Sequence, residues 1–369
     1  MTKQIPFFNY PALYARDEAR LQPIITDVLR RGAYVMQRDL IEFEGDLARF
    51  LGVKHVVGVA DGTIALMMGL RAAGIRPGDE VIVPSHTFVA SAAAIHHVGA
   101  QPVLADCGPD HLITAEAVHC KLSPRTRGIM PVQLNGRTAN MDGIMDIARD
   151  HNLIVVEDSC QALGSKFKGR IAGTFGAAGT CSFYPSKTLG CYGDGGAVFT
   201  NDDALAECLR LFRDHGRSST GDVVTFGYNS RLDNLQAAVL KFKLAGYDSE
   251  IRRRRYLAGI YQSRLAGLPD LLLPPAPDSD PDHFDIFQNY EVECSRRDEL
   301  RAHLDSQGVK TIIQWGGKTI HQFKELGLNS DVPYTESMTG RFFLLPMNTS
   351  LSDDDVHYVC DKIHQFYGR

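Results

Sequence analysis

Leu153-Ile-Val-Val-Glu-Asp-Ser-Cys-Gln-Ala-Leu-Gly164 is an apolar run that ends in two carboxylates and a small-residue turn. Continuous apolarity, rather than alternation, is what a strand buried on both faces requires. Six further runs share this character: His55–Ala60, Glu80–Ser85, Gln101–Asp106, Thr126–Gln133, Ala177–Tyr184 and Gly196–Thr200. Helical stretches separate several of them, at Gly62–Gly74, Ala90–Val98 and Met141–Asp150. Gly74 and Gly99 stand where helix C-caps are common. Seven strands with helical crossovers predict an α/β sandwich around a mostly parallel sheet. Such sheets bind ligands at the carboxyl ends of their strands, so the functional residues are sought there.

After Thr200 the pattern changes. Asp202–Phe212 and Arg231–Tyr247 read as helices, the second running on into a basic helix around Arg252–Leu265. The proline-rich stretch from Leu272 to Asp282 reads as a loop. Beyond it, Gln288–Cys294 and Val309–Gln314 read as strands, and Asp298–Gly308 and Asp353–Phe366 as helices. A chain of 369 residues has room for two domains. The expected organisation is a large α/β domain, 1–247, and a smaller C-terminal α+β domain, 248–369.

Composition narrows the function. A net charge of −5 argues against general affinity for nucleic acid or anionic membrane. The chain holds no apolar run of about 18 residues, so no spanning helix is expected, and its start lacks the apolar core of a signal peptide. Eight cysteines with no Cys-x-x-Cys pair suit free thiols in a reducing cytoplasm better than disulfides or zinc. No metal site is expected, and His96-His97 reads as helix surface and cap.

Three elements carry chemistry. Asp158 stands at a strand end, where a carboxylate holds a protonated ring nitrogen or a metal, or merely caps a helix. Lys187, in Cys181-Ser-Phe-Tyr-Pro-Ser-Lys187, follows a strand and precedes a glycine-rich loop. A lysine so placed forms an imine with an aldehyde, or is one more solvated amine. Ser182 and Ser186 suit a phosphate or an ordinary turn. In Val59-Ala-Asp-Gly-Thr-Ile-Ala-Leu66, a helix opens at Gly62 and Thr63. Its free N–H groups suit an anion, the alternative being a plain cap by Asp61 or Thr63. The Gly-x-x-x-x-Gly-Lys spacing of a nucleotide P-loop is missing.

In this order and spacing, these elements resemble the DegT/DnrJ/EryC1/StrS family of sugar aminotransferases, which use pyridoxal 5′-phosphate (PLP). The resemblance spans almost the whole chain. It runs from Gly32-Ala-Tyr-Val and Glu42-Phe-Glu through Gly74-Ile-Arg-Pro-Gly-Asp-Glu-Val-Ile-Val-Pro-Ser-His-Thr-Phe-Val-Ala. It continues in Glu157-Asp-Ser-Cys-Gln-Ala-Leu-Gly, Ser182-Phe-Tyr-Pro-Ser-Lys, Gly193-Asp-Gly-Gly-Ala-Val and Gly227-Tyr-Asn-Ser-Arg-Leu-Asp-Asn-Leu-Gln-Ala-Ala, and ends in Leu345-Pro-Met.

The resemblance implies a fold-type-I PLP-dependent transferase and assigns roles residue by residue. Lys187 matches the lysine that binds PLP covalently. Asp158 matches the partner of the ring nitrogen, and Gln161 the residue near the ring hydroxyl. Gly62, Thr63 and Ser182 match the phosphate cradle, and Phe88 the aromatic that stacks on the ring. Asn229 matches an asparagine that reaches the cofactor phosphate of the other subunit, which implies a homodimer with shared active sites. L-Glutamate is the implied amino donor, and the implied acceptor is a nucleotide-linked keto (deoxy)sugar, in aminosugar biosynthesis for surface polysaccharide or natural-product glycosides. The alternatives are a keto-cyclitol acceptor or a PLP-dependent sugar dehydratase. Lysine at position 187 speaks against the dehydratase, because the branch that dehydrates carries histidine there.

Three segments depart from the family's pattern. Lys187-Thr-Leu-Gly stands for Lys-Asn-Leu-Gly, and Pro131-Val-Gln-Leu-Asn-Gly for Pro-Val-His-Leu-Tyr-Gly. A His-Tyr-Pro segment appears as Gln314-Trp-Gly-Gly-Lys-Thr-Ile-His321. Trp315 and His321 are therefore candidates for sugar contact, with a core position as the alternative for the tryptophan.

Overall fold

The computed structural model describes residues 3–368. All seven apolar runs fold as strands: β1 (His55–Val59), β2 (Glu80–Pro84), β3 (Gln101–Ala105), β4 (Thr126–Ile129), β5 (Ile154–Asp158), β6 (Ala178–Ser182) and β7 (Gly196–Thr200). They form one sheet in the order β1-β7-β6-β5-β4-β2-β3. Only β7 runs antiparallel to its neighbours, β1 and β6. The loop 183–195 that joins β6 to β7 contains no helix, so it makes a return rather than a crossover. β2 and β7 are buried at every position, which is why these runs carry no polar alternation.

The helix Gly62–Ala73 lies on the sheet and is fixed at its start by a close approach. A Cβ on Gly196 would sit 2.5 Å from the Asp61 carbonyl group, and one on Gly62 would sit 2.8 Å from the Ser182 Cβ. Glycine at both positions lets the helix open directly beside the end of β6.

Ahead of the sheet lie two helices that the apolar runs do not reveal, Tyr10–Arg31 and Arg38–Leu51. They end on Gly32 and Gly52 in the left-handed conformation (φ 62° and 69°). Leu40, Phe43, Leu47 and Leu51 are buried together with Phe183, Leu189 and Cys191, so the second helix backs the loop that carries Lys187.

After β7 come helices Asp203–Arg213, Asn234–Leu244 and Tyr247–Leu265. The continuous run expected from Arg231 through the basic segment is broken at Ala245–Gly246. The long third helix contributes Tyr247 and Ile251 to one apolar cluster and Leu257 through Leu265 to another. That second cluster surrounds a three-stranded antiparallel sheet, Leu271–Leu272, Tyr290–Cys294 and Phe342–Leu345, and includes Ile5 and the helix Asp353–Phe366.

The strand expected over Val309–Gln314 does not form. Val309 and Ile312 make single bridges to Ile5 and Leu344. Trp315, Gly316 and Gly317 then follow with φ of 51°, 70° and 79°, and three left-handed residues in a row turn the chain off the sheet. Phe342–Leu345 is the strand that pairs with Tyr290–Cys294, and Ile312 touches its other edge. All eight cysteines are free. No helix among the described residues is long and apolar enough to cross a membrane.

Candidate active site

Successive residues of a strand face opposite ways, and the end of β5 uses this with two adjacent carboxylates. Glu157, fully buried, accepts the N–H groups of Gly173 (2.7 Å), Phe175 (2.6 Å) and Gly176 (3.0 Å) and the Gln133 amide (2.9 Å). It anchors a turn. Among the described residues Asp158 accepts the Ser91 hydroxyl (2.8 Å) and the Cys160 N–H (3.1 Å), with the Cys160 thiol beside it. A carboxylate has about four acceptor positions, so Asp158 keeps acceptor capacity for a ligand.

Cys160 links Asp158 to the helix start: its Sγ lies 3.2 Å from where a Gly62 Cβ would stand. Asp61 caps that helix by accepting the Ile64 N–H (2.9 Å). The cap takes one N–H group, and those of Gly62 and Thr63 have no acceptor among the described residues. Ser182 stands beside them at the end of β6, its Oγ accepting the Tyr184 N–H (3.3 Å). Lys187 follows in a tight turn closed by its own N–H to the Tyr184 carbonyl (2.8 Å). Burial pushes its ammonium below the usual lysine range, against the opposing pull of Cys160 and Asp158. Asp158, Cys160, Gly62, Ser182 and Lys187 thus converge on one place at the strand ends.

Gln161 is oriented by two donors to its Oε1, the Asn135 N–H (3.0 Å) and the Asn289 amide (3.2 Å). With Oε1 filled, its Nε2 is the group left for a ligand. Phe88 leads into the helix Val89–His97 and is half exposed (51%). Asn229 is exposed on the loop between Asp214 and Ser230 and makes no side-chain hydrogen bond among the described residues. A cavity of about 670 Å³ opens beside Lys187, lined by Phe7, Phe8, Tyr10, Arg16 and Tyr192 among others.

Trp315 and His321 lie together at the exit of β2. The Trp315 ring meets His86 edge-on at 5.2 Å. His321 Nδ1 is 2.8 Å from the Ser85 hydroxyl, while its Nε2 is buried without a partner among the described residues. Burial lowers the His321 pKa. Neighbouring Glu291 accepts from His111 Nδ1 (2.6 Å), His86 Nε2 (3.3 Å), the Asn135 amide (2.9 Å) and the Gln314 amide (2.8 Å). His111 Nε2 reaches Glu293 at 3.0 Å. Burial alone would lower the His111 pKa, but its bonds to Glu291 and Glu293 lift it to about 9. His86, His111 and Glu291 have the makings of a metal group. Here Glu291 is filled by four donors and both His111 nitrogens face carboxylates, so the groups hold one another in a hydrogen-bonded cluster.

Sequence reasoning gave no role to Ser91, Asn135, Gln288, Asn289 or Glu291. Asn135 and Gln314 stood in segments marked as departures, which was the one available signal. The cradle itself fits PLP: N–H groups and a hydroxyl for a phosphate, an acceptor for a protonated ring nitrogen, and a desolvated amine for a carbonyl carbon.

The model of the DegT/DnrJ/EryC1/StrS aminotransferase family matches residues 16–364. A dTDP-3-amino-3,4,6-trideoxy-alpha-D-glucose transaminase from Streptomyces venezuelae is 40% identical over 100% of this chain and 97% of its own length. A UDP-N-acetyl-3-dehydro-alpha-D-glucosamine 3-aminotransferase from Acidithiobacillus ferrooxidans is 37% identical over 98% and 97%. The crystal structure of S. venezuelae DesV, described as a complex with a ketimine intermediate, superposes with a TM-score of 0.95 at 40% identity, covering 100% of both chains. That of Bacillus subtilis NtdA with bound cofactor PMP gives 0.92 at 27% identity, covering 100% of this chain and 86% of that one.

Proposed function

The chain belongs to the DegT/DnrJ/EryC1/StrS aminotransferase family and uses the PLP/PMP cofactor, and from that premise we propose that it transfers an amino group from L-glutamate to a nucleotide-linked keto (deoxy)sugar. The observation that carries the reading is the convergence of Asp158, Lys187, Ser182 and the open helix start at Gly62–Thr63. The relatives named as dTDP- and UDP-sugar transaminases support the substrate class.

PLP, when bound, supplies an electron sink for the carbon that loses its proton. In the proposed site, Gly62, Thr63 and Ser182 hold the phosphate. Asp158, oriented by Ser91, accepts the ring N–H and keeps that nitrogen protonated. Gln161 offers Nε2 to the ring oxygen, and Phe88 covers the ring face. Lys187 Nζ would carry the proton from the amino donor's carbon to the cofactor carbon that takes up the amino group, and would carry it the opposite way in the acceptor half-reaction. Its burial favours the neutral amine, the form that serves as base. Trp315 and His321 face the sugar.

The reading includes a large unit, 1–247, and a small one, 248–369. It also includes a cytoplasmic homodimer in which Asn229 reaches the partner's site. Ile41, Val223, Val224 and Phe226 are 61–88% exposed, apolar side chains that a second copy could cover.

The test is visible absorbance of the PLP-loaded protein on adding L-glutamate without acceptor. Loss of the visible band and growth of the pyridoxamine band is expected. A panel of keto sugar nucleotides and keto-cyclitols follows, and turnover of the cyclitols alone would sink the sugar reading.

A further inference from the structure

A buried amide grips the main chain on both sides of Lys187. Gln288 lies at the entry to the strand Tyr290–Cys294, just after Phe287 in a left-handed conformation (φ 52°). Its Nε2 donates to the Ser186 carbonyl (2.9 Å) and its Oε1 accepts the Thr188 N–H (2.7 Å). The loop has no strand neighbour there, and the amide supplies the donor and acceptor that a neighbour would have given.

Gln288 is itself anchored. Arg254 Nη1 donates to the carbonyls of Phe287 (3.2 Å), Gln288 (3.1 Å) and Met347 (2.8 Å). Tyr247 holds the loop from a second side. Its hydroxyl donates to the Leu163 carbonyl (2.8 Å), so at 2.6 Å its oxygen accepts from the Thr188 hydroxyl. The next residue, Asn289, reaches Gln161. Two consecutive residues of the C-terminal part thus touch the two chain segments that flank the proposed ring position.

We propose that Gln288 is a positioning residue for Lys187: by clamping Ser186 and Thr188 it fixes the direction from which Nζ delivers and withdraws its proton. The proposal rests on the reading of Lys187 given above. The clamp leaves Nζ free, because both bonds are made to main chain. A role limited to filling a buried gap would cost stability without altering the chemistry of the folded, loaded enzyme.

Gln288→Met removes both bonds at similar length, and Gln288→Glu keeps the acceptor for Thr188 while losing the donor to Ser186. Each is loaded with PLP to full occupancy and mixed with L-glutamate in a single turnover, and the visible band is also titrated with pH. The expected result is a fall in the single-turnover rate of about tenfold to a hundredfold. The half-saturating glutamate concentration should stay within about threefold, and the titration midpoint of the visible band should move. Gln288→Glu should retain more of the rate than Gln288→Met, and it carries the comparison if the latter does not fold. A loaded variant with the wild-type rate and band titration overturns the proposal. A wild-type band that persists in Lys187→Ala would instead bring down the reading of Lys187, and this proposal with it.

Discussion

Asp158 and Glu291 are both buried carboxylates, 6% and 3% exposed, yet their surroundings differ in kind. Asp158 receives one hydroxyl and one N–H, and the Gly62 and Thr63 N–H groups near it have no acceptor among the described residues. Glu291 is filled by two imidazoles and two amides. An underfilled group keeps interaction energy for a ligand, whereas a saturated one only holds its neighbours in place. The first cluster therefore reads as chemistry and the second as framework, and substitutions should separate the two by what they damage.

The largest effect belongs to the open cluster. Lys187→Ala should slow the glutamate half-reaction by about a thousandfold or more while leaving the melting temperature near that of the wild type. A variant that still consumed glutamate at a tenth of the normal rate would place the base elsewhere.

Glu291→Ala should do the reverse. It leaves two buried imidazoles and two amides without their shared acceptor, and a loss of about 3–5 kcal/mol in urea unfolding is expected. Glu291→Gln, which keeps one of the two acceptor oxygens and so either the Asn135 or the Gln314 bond, should cost less than Glu291→Ala. Equal stability in both variants and the wild type would dissolve the contrast.

The framework cluster also carries a pH signature. His111 stands at about 9 against an ordinary 6.5, so its folded-state proton contributes about 3 kcal/mol. Because the folded value is the higher one, this stability is fully present below pH 6.5 and is lost as pH rises through 9. Melting curves from pH 6 to 10 should show the alkaline decline in the wild type and a flatter profile in His111→Gln. Parallel profiles would mean that His111 is neutral in the folded chain.

The open cluster was largely legible in the sequence. Asp158 and Ser182 end a strand, and Gly62 and Lys187 follow one, each strand being buried at four of its five positions, and strand ends are where such sheets bind. The framework was not. Gln288 reaches Thr188 across 100 residues of sequence and Ser186 across 102, and its bonds go to main chain, which no spacing marks. The strand expected over Val309–Gln314 failed because left-handed Trp315 overrides the local preference and the Gln314 amide is drawn to Asn135 and Glu291. The helices Tyr10–Arg31 and Arg38–Leu51 did carry signals, the caps Gly32 and Gly52 and the stripe Leu40, Phe43, Leu47, Leu51. These are amphipathic signals, which a search for continuous apolar runs passes over.

The smallest predicted effect tests where the open cluster ends. Asn229 is exposed and its side chain unbound, but its backbone is pinned. Asn229 bridges Asp214, the Ala60 N–H donates to the Ser230 hydroxyl (3.2 Å), and Arg71 donates to the Tyr228 hydroxyl (2.9 Å). A free amide on a fixed frame is what the proposed reach into the partner's site requires. If it meets the partner's cofactor phosphate, Asn229→Ala should weaken PLP retention by about tenfold, the loss of one hydrogen bond to a charged group. Mixing subunits sharpens this. In a hybrid of Lys187→Ala with Asn229→Ala, one site joins an intact Lys187 to the other subunit's intact Asn229, and the second site lacks both. Sharing across the interface predicts that the hybrid recovers one site of wild-type affinity. If Asn229 served its own protomer, every site with a lysine would lack the amide, and mixing would restore nothing.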